Sequence, residues 1–271
     1  MKKGLTELAF IIDRSGSMSG LEDDTIGGFN SMLKEQQAVE GKAYITTVLF
    51  DDRYKLLHDR IDIQAVSPLT REDYTVRGST ALLDAIGKTI HKIREAQRNT
   101  KEEYRVEKVM FIIITDGQEN ASHRYTAEMI RQRIEHQKQK YGWEFIFFGA
   151  NMDAIAEAGK IGIRADRAQN YCADSFGTQA TYMAMSAVST AFRTGKPLDF
   201  MDVGDTGTGD GQEELEKAFR RLKGAAGGLK RAADQLREDA EGIFQISEAN
   251  GGKIPDVNEI LKKVLDKGQE N

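Results

Sequence analysis

A single cysteine, Cys172, stands in a chain of 271 residues. An internal disulfide is therefore excluded, the core has to be held by packing alone, and a reducing compartment suits the composition. Basic residues never gather into a block of about five or six, and the formal net charge is -5, which recommends neither nucleic acid nor an anionic membrane as partner. No apolar run reaches the roughly 18 residues that a membrane-spanning helix needs. Lys2 and Lys3 ahead of an apolar stretch have the outline of a secretory signal, but Glu7 and Asp13 confine its core to residues 8–12, short of the about 7 to 15 apolar residues of such a segment. A cytoplasmic protein is expected. The short start, Gly4 to Leu8, is expected to leave no room for a preceding domain.

What the chain does have is enough apolar residue, 39 %, to bury an α/β core of about 200 residues and still carry an appendage. Leu8-Ala9-Phe10-Ile11-Ile12 reads as a buried parallel strand that delivers Asp13 to the carboxyl edge of a sheet, where α/β proteins place ligands. Residues 22–40 carry Ile26, Phe29, Met32 and Leu33 at helical spacing. Residues 44–50 read as a second strand, and Asp51-Asp52 makes the turn into an antiparallel edge strand at 54–58. That acidic pair invites a second metal site, although acidic turn residues are commoner than ligands. Residues 80–96 form a helix with Leu82, Leu83, Ile86, Ile90 and Ile93 inside. Val109 to Thr115 is the most apolar piece and the central strand. A helix over 125–141, with Met129, Ile130 and Ile134 on its buried side, leads to a strand over 143–148, where Trp143 is a core lid and Asn151 lines the rim of the same edge. A short helix over 153–160, a strand over 168–172 and a covering helix over 177–193 follow. The alternation predicts a doubly wound, mostly parallel sheet with one antiparallel edge strand.

The candidate chemistry sits at strand ends. In Asp13-Arg14-Ser15-Gly16-Ser17, three oxygen-bearing side chains alternate in a tight turn and can converge on one point, the oxygen shell that Mg2+ or Mn2+ takes. Alone, that string equally describes an ordinary Ser/Gly turn capped by Asp. Two further stretches add to it: Gly78-Ser79-Thr80, just ahead of the apolar helix, and Asp116-Gly117, beyond the central strand. Thr80 can either cap its helix or reach a cation.

On these five positions the sequence resembles the von Willebrand factor A family, in its intracellular bacterial or phage type. The metal-ion-dependent adhesion site of that family uses D-x-S-x-S, a Thr in a later loop and an Asp after the fourth strand. Asp13, Ser15, Ser17, Thr80 and Asp116 match in order. The resemblance spans roughly residues 5 to 200 and implies a Rossmann-like domain over residues 1–200 that holds Mg2+ or Mn2+. It further implies a partner protein whose acidic side chain completes the coordination, and a switch in which Thr80 and Asp116 exchange direct for water-mediated contacts. Such a switch is a population shift between two packings.

Residues 201–212, with Gly204, Gly207, Gly209 and Gly211, read as a flexible linker. Residues 213–271 read as a helical tail whose heptad-like stripe of Leu215, Phe219, Leu222, Ala226, Leu229, Ala233, Leu236 and Ala240 suits docking on a partner or pairing with itself. Gly224, Gly227 and Gly228 interrupt that stripe. A last helix starts near Pro255, with Asp256 as its cap. Two other function classes compete with metal-dependent protein binding. One is a scaffold in which the tail binds and the metal is structural. The other is a Mg2+-dependent phosphohydrolase, but that chemistry calls for a second carboxylate two residues after Asp13, where Ser15 stands. A general acid or base is also wanted, and His123, the histidine closest to a site loop, reads as a surface residue. No enzyme activity is expected.

Overall fold

The computed structural model describes residues 2–198; the linker and helical tail expected over 201–271 lie outside the described residues. Within them the chain alternates strand and helix: β1 (Lys2–Asp13), α1 (Glu22–Ala38), β2 (Ala43–Phe50), β3 (Tyr54–Asp62), α2 (Leu82–Asn99), β4 (Val106–Thr115), α3 (Ala127–Tyr141), β5 (Glu144–Ala150), α4 (Ala154–Lys160), β6 (Ala168–Tyr171) and α5 (Ser175–Thr194). One sheet collects all six strands in the order β3-β2-β1-β4-β5-β6. Every neighbouring pair is parallel except β2 with β3. This is the expected doubly wound α/β architecture with one antiparallel edge strand.

The apolar strands are explained by burial on both faces. Along β1 the side chains of Leu8, Phe10 and Ile12 enter the core beneath α1 and α5, with Phe29, Met185 and Val188. The alternating Ala9 and Ile11 enter the core on the opposite face, with Ile86, Ile90, Ile130 and Ile134 of α2 and α3. Strand β4 does the same with Ile112 and Ile114 against Phe111 and Ile113. Trp143 is 5 % exposed and stacks on Phe111 with ring centroids 5.5 Å apart, so it closes that core as expected. Met129 departs from expectation: it is 39 % exposed, because Ile130 and Ile134 hold the inward stripe of α3 and a residue one position earlier is turned away by about 100°.

From β1 the chain moves outward through α1 to β2 and β3, then crosses back through α2 to β4 on the other side of β1. The two windings use opposite faces, so the connections leave the carboxyl ends of β1 and β4 in opposite directions and open a crevice between them, the place where open α/β sheets bind ligands. Register aligns that edge: Ile12 pairs with Ile114, and Asp13 pairs with Phe50. Asp13 and Thr115 therefore end adjacent strands, with Asp116 one residue beyond.

Candidate metal centre

Three loops meet above β1 and β4. After Asp13, Ser15 leads into a short turn over Gly16–Met18 that carries Ser17. It is tied to the loop ahead of α2 by Gly16 N–H donating to Gly78 O (3.0 Å) and Arg77 N–H donating to Arg14 O (2.9 Å). Gly78 takes φ of 67°, a left-handed conformation that glycine adopts freely. Any Cβ there would also lie 2.2 Å from Asp52 Oδ1. The third loop follows Asp116. Asn120 and Ala121 donate their N–H groups to Thr80 O at 3.1 and 3.2 Å, and Asn120 Oδ1 accepts from Thr80 N–H at 2.9 Å.

All five sequence-predicted positions come together here. Asp13 Oδ1 accepts from Ser15 N–H (2.6 Å) and Asp13 Oδ2 from the Thr115 hydroxyl (2.5 Å). The Ser15 and Ser17 hydroxyls are 3.0 Å apart, and Ser17 donates to Asp116 Oδ1. Thr80 does not cap α2. The residue ahead of that helix is Ala81, with no side-chain cap, which leaves the Thr80 hydroxyl to the site. Gly117 reports the convergence: a Cβ placed on it would lie 2.6 Å from Thr80 Oγ1, 3.0 Å from Ser17 Oγ and 3.4 Å from Ser15 Oγ. Three hydroxyl oxygens thus face one point beside two carboxylates.

The carboxylates are short of positive charge. Asp13 is fully buried and Asp116 is 3 % exposed. Burial pushes the Asp13 carboxyl up to about 6 from an ordinary 3.8, against the lowering pull of the Thr115 and Ser15 hydrogen bonds, and nearby Asp116 adds to the rise. Burial also raises Asp116, which Ser17 partly offsets. Asp116 Oδ2 is buried with no hydrogen-bond partner, and a buried acceptor left without one costs roughly 1–3 kcal/mol. Two carboxylates, one with a free oxygen, together with three neutral hydroxyls match the oxygen preference and charge of a hard divalent cation, so the donor set fits one. Among the described residues no three His, Cys, Asp or Glu side chains cluster as metal ligands; the donors here are mostly hydroxyls.

Several supporting residues escaped the sequence reading. Asp51 is no second metal site. It is fully buried, with Oδ2 2.9 Å from Nε of both Arg14 and Arg77. The Arg14 contact is an ion pair without hydrogen-bond alignment, since its Nε has no hydrogen-bond partner. Asp51 thereby fastens the Asp13 turn and the Thr80 loop to the end of β2. The Tyr74 hydroxyl donates to Asp13 O at 2.6 Å. Glu119 fixes the third loop, accepting from Leu83 N–H, Ala121 N–H, Ser122 N–H and the Ser122 hydroxyl at 2.7–3.0 Å. Thr115 carried a usable signal, a hydroxyl directly before the strand-end Asp. Asp51 carried one too, a carboxylate at the end of a buried strand beside the Asp13 strand. His123 and Asn151 are exposed, and Asn151 adopts φ of 56°.

No protein-family model matches the chain, and no curated protein is similar to it in sequence. Solved structures of similar shape do occur. Proximal thread matrix protein 1 from the mussel byssus matches 70 % of this chain at 16 % identity and a TM-score of 0.47; it has also been solved with zinc in its MIDAS motif. This chain spans 46 % of the byssus protein. A von Willebrand factor type A protein from Catenulispora acidiphila matches 69 % of this chain at 15 % identity and a TM-score of 0.45, with 42 % of its own length covered. The vWF domain of the type V pili tip protein Mfa5 from Porphyromonas gingivalis matches 69 % at 11 % identity and a TM-score of 0.48, with 96 % of it covered.

Proposed function

We propose that this chain is a von Willebrand factor A-type, divalent-metal-dependent protein-binding module. Asp13, Ser15, Ser17, Thr80 and Asp116 hold Mg2+, or Mn2+, at the carboxyl edge of the sheet, and a partner protein presents an acidic side chain to that metal. The observation that carries the reading is the convergence of the Ser15, Ser17 and Thr80 hydroxyls on one point beside Gly117, next to two buried carboxylates of which one has an unpaired oxygen. A divalent cation bound there supplies a Lewis-acidic position for one more anionic oxygen.

The chain's own residues do the rest. Thr115 and the Ser15 N–H hold the Asp13 carboxylate in one orientation. Ser17 bridges the Asp13 turn to Asp116. The ion pairs of Asp51 keep the Ser15–Ser17 turn and the Thr80 loop at fixed separation, so the donor set is preorganised and little ordering remains for binding to accomplish. The three hydroxyls carry no charge, so the two carboxylates balance a divalent ion without surplus, which leaves room for a partner's carboxylate.

The module is read as non-enzymatic. Position 15 offers a hydroxyl rather than the second carboxylate of a phosphohydrolase, and Glu119, the next carboxylate after Asp116, has both oxygens committed to its own loop and to α2. Titration calorimetry of the full chain with Mg2+ and Mn2+ should give saturable binding that Asp116→Ala removes. Capture of partner proteins from host lysate should then require Mg2+ and fail with EDTA. Partners retained equally in EDTA would move recognition to the tail, and phosphatase turnover lost in Asp13→Ala would make the protein an enzyme.

A further inference from the structure

Gly117 borders two sites at once. On one side its Cα faces the Thr80, Ser17 and Ser15 hydroxyls. On the other it lines a cavity of about 240 Å³ whose walls include Leu82, Leu83, Ala127, Phe147, Met152 and Ile161. The cavity opens at the same sheet edge, because Phe147 lies near the end of β5, Met152 follows that strand, and Leu82 and Leu83 start α2. Leu83, Ala127 and Met152 are only partly buried, so apolar surface stays in contact with water immediately beside the polar loops. The charged groups around it are spoken for: Glu119 is committed to backbone N–H groups, and Lys160 pairs with Glu157 at 2.6 Å.

We propose that this cavity seats one apolar side chain of the partner peptide, close in sequence to the acidic residue presented at the metal. The inference rests on the metal-dependent reading above and adds a partner class to it: an acidic residue flanked by Leu, Met or Phe. Three features favour that occupant. The volume falls below the roughly 300–1,000 Å³ of sites built for drug-sized ligands, which suits a single side chain. Most of its walls are aliphatic or aromatic, and the carboxylates and the amine among the rest are already paired, Glu119 with loop N–H groups and Glu157 with Lys160, so the apolar surface is what remains for an occupant. Glu119 ties the loop after Asp116 to the first turn of α2 through Leu83 N–H, so the cavity and the metal loops keep a fixed spacing that a short peptide can span.

The test uses the full chain and synthetic peptides with one central Glu in a Gly/Ser background. Leu, Met, Phe, Lys or Gly is substituted in turn at positions flanking the Glu, and binding is read by fluorescence polarisation in Mg2+ and in EDTA. In Mg2+, Leu or Met at one flanking position should tighten binding roughly ten-fold over Gly, a fraction of full side-chain burial, while Lys should not. Met152→Trp, which fills the cavity from the β5 side and replaces none of the proposed metal donors, should abolish that preference and leave Gly-flanked peptides within about two-fold of wild type; Leu83→Ala, which enlarges it, should shift the preference toward Phe. Mg2+-dependent binding without any apolar preference, or a preference that survives Met152→Trp in a variant with wild-type circular dichroism, overturns the cavity's role and leaves the metal reading standing. Failure of every Glu peptide to bind in a Mg2+-dependent way overturns the metal reading, and the cavity's role falls with it.

Discussion

Gly117→Ala is the most economical perturbation of the proposed metal centre, because it adds one carbon and changes no charge. The backbone tolerates it, since Gly117 is not among the glycines with positive φ. The new Cβ, however, would stand 2.6 Å from Thr80 Oγ1 and 3.0 Å from Ser17 Oγ. Ordinary contact begins near 3.4 Å, so Thr80 Oγ1 has to retreat by about 0.8 Å, several times the roughly 0.2 Å within which metal–ligand distances hold. Metal affinity should fall by about two orders of magnitude while the metal-free fold changes little. Differential scanning calorimetry reads the difference. At a metal concentration near one hundred times Kd, binding stabilises the native state by roughly 2.7 kcal/mol, or about 5 to 10 °C in Tm for a domain of this size. A hundred-fold weaker variant at the same concentration gains roughly 0.4 kcal/mol, about 1 °C. A Gly117→Ala protein that keeps the whole metal-induced shift would show that these hydroxyls do not share a ligand.

Thr80→Val should lose most of the metal-induced Tm shift, and Thr80→Ser should keep it. Neither should destabilise metal-free α2, because Ala81 precedes that helix without a side-chain cap; Asp153→Ala, which removes a side chain accepting from Ala156 N–H, should by contrast cost about 1 kcal/mol. Asp51→Ala leaves the buried Arg14 guanidinium without its counter-charge and should cost roughly 3–5 kcal/mol in urea denaturation; a cost below about 1 kcal/mol would mean that water reaches Arg14. In EDTA, the stability of wild type relative to Asp13→Asn should fall as pH rises from 3.8 to about 6. A carboxyl whose folded-state pKa lies above its unfolded value binds its proton more tightly when folded, and that advantage disappears as the proton leaves. A relative stability that rises across that window would contradict the burial argument for Asp13.

Much of the fold was legible because its causes are local. A strand covered on both faces must be apolar at consecutive positions, so residues 8–12 and 109–115 announce β1 and β4. The β-α alternation leaves few topologies once crossovers are right-handed. The meeting of the five candidate positions at one edge was legible for a related reason, since polar oxygens placed where an apolar strand stops stand at the sheet's carboxyl edge. Legibility failed where a residue's role depends on something far along the chain. The apolar stretch beginning just after Thr80 did not reveal whether its hydroxyl caps the helix or faces the site; the loop's hydrogen bonds to Asn120 and Ala121 accompany the second arrangement. Met129 failed differently, because two isoleucines and a methionine within two helical turns leave the position of the stripe's edge undecided.

Sequence by itself determined that strand-end carboxylates and loop hydroxyls occur in an order compatible with one oxygen-rich site, because side-chain chemistry and strand periodicity are properties of short stretches. Only the tertiary structure decided that Thr115 orients Asp13 across 102 positions of sequence, that Asp51 is an anchor for two arginines rather than a ligand, and that Gly117 separates the hydroxyl cluster from an apolar cavity. Each of these is a meeting of side chains from different loops. Such meetings are set by the register of the sheet and the packing of helices on its two faces, which no short stretch of the chain encodes.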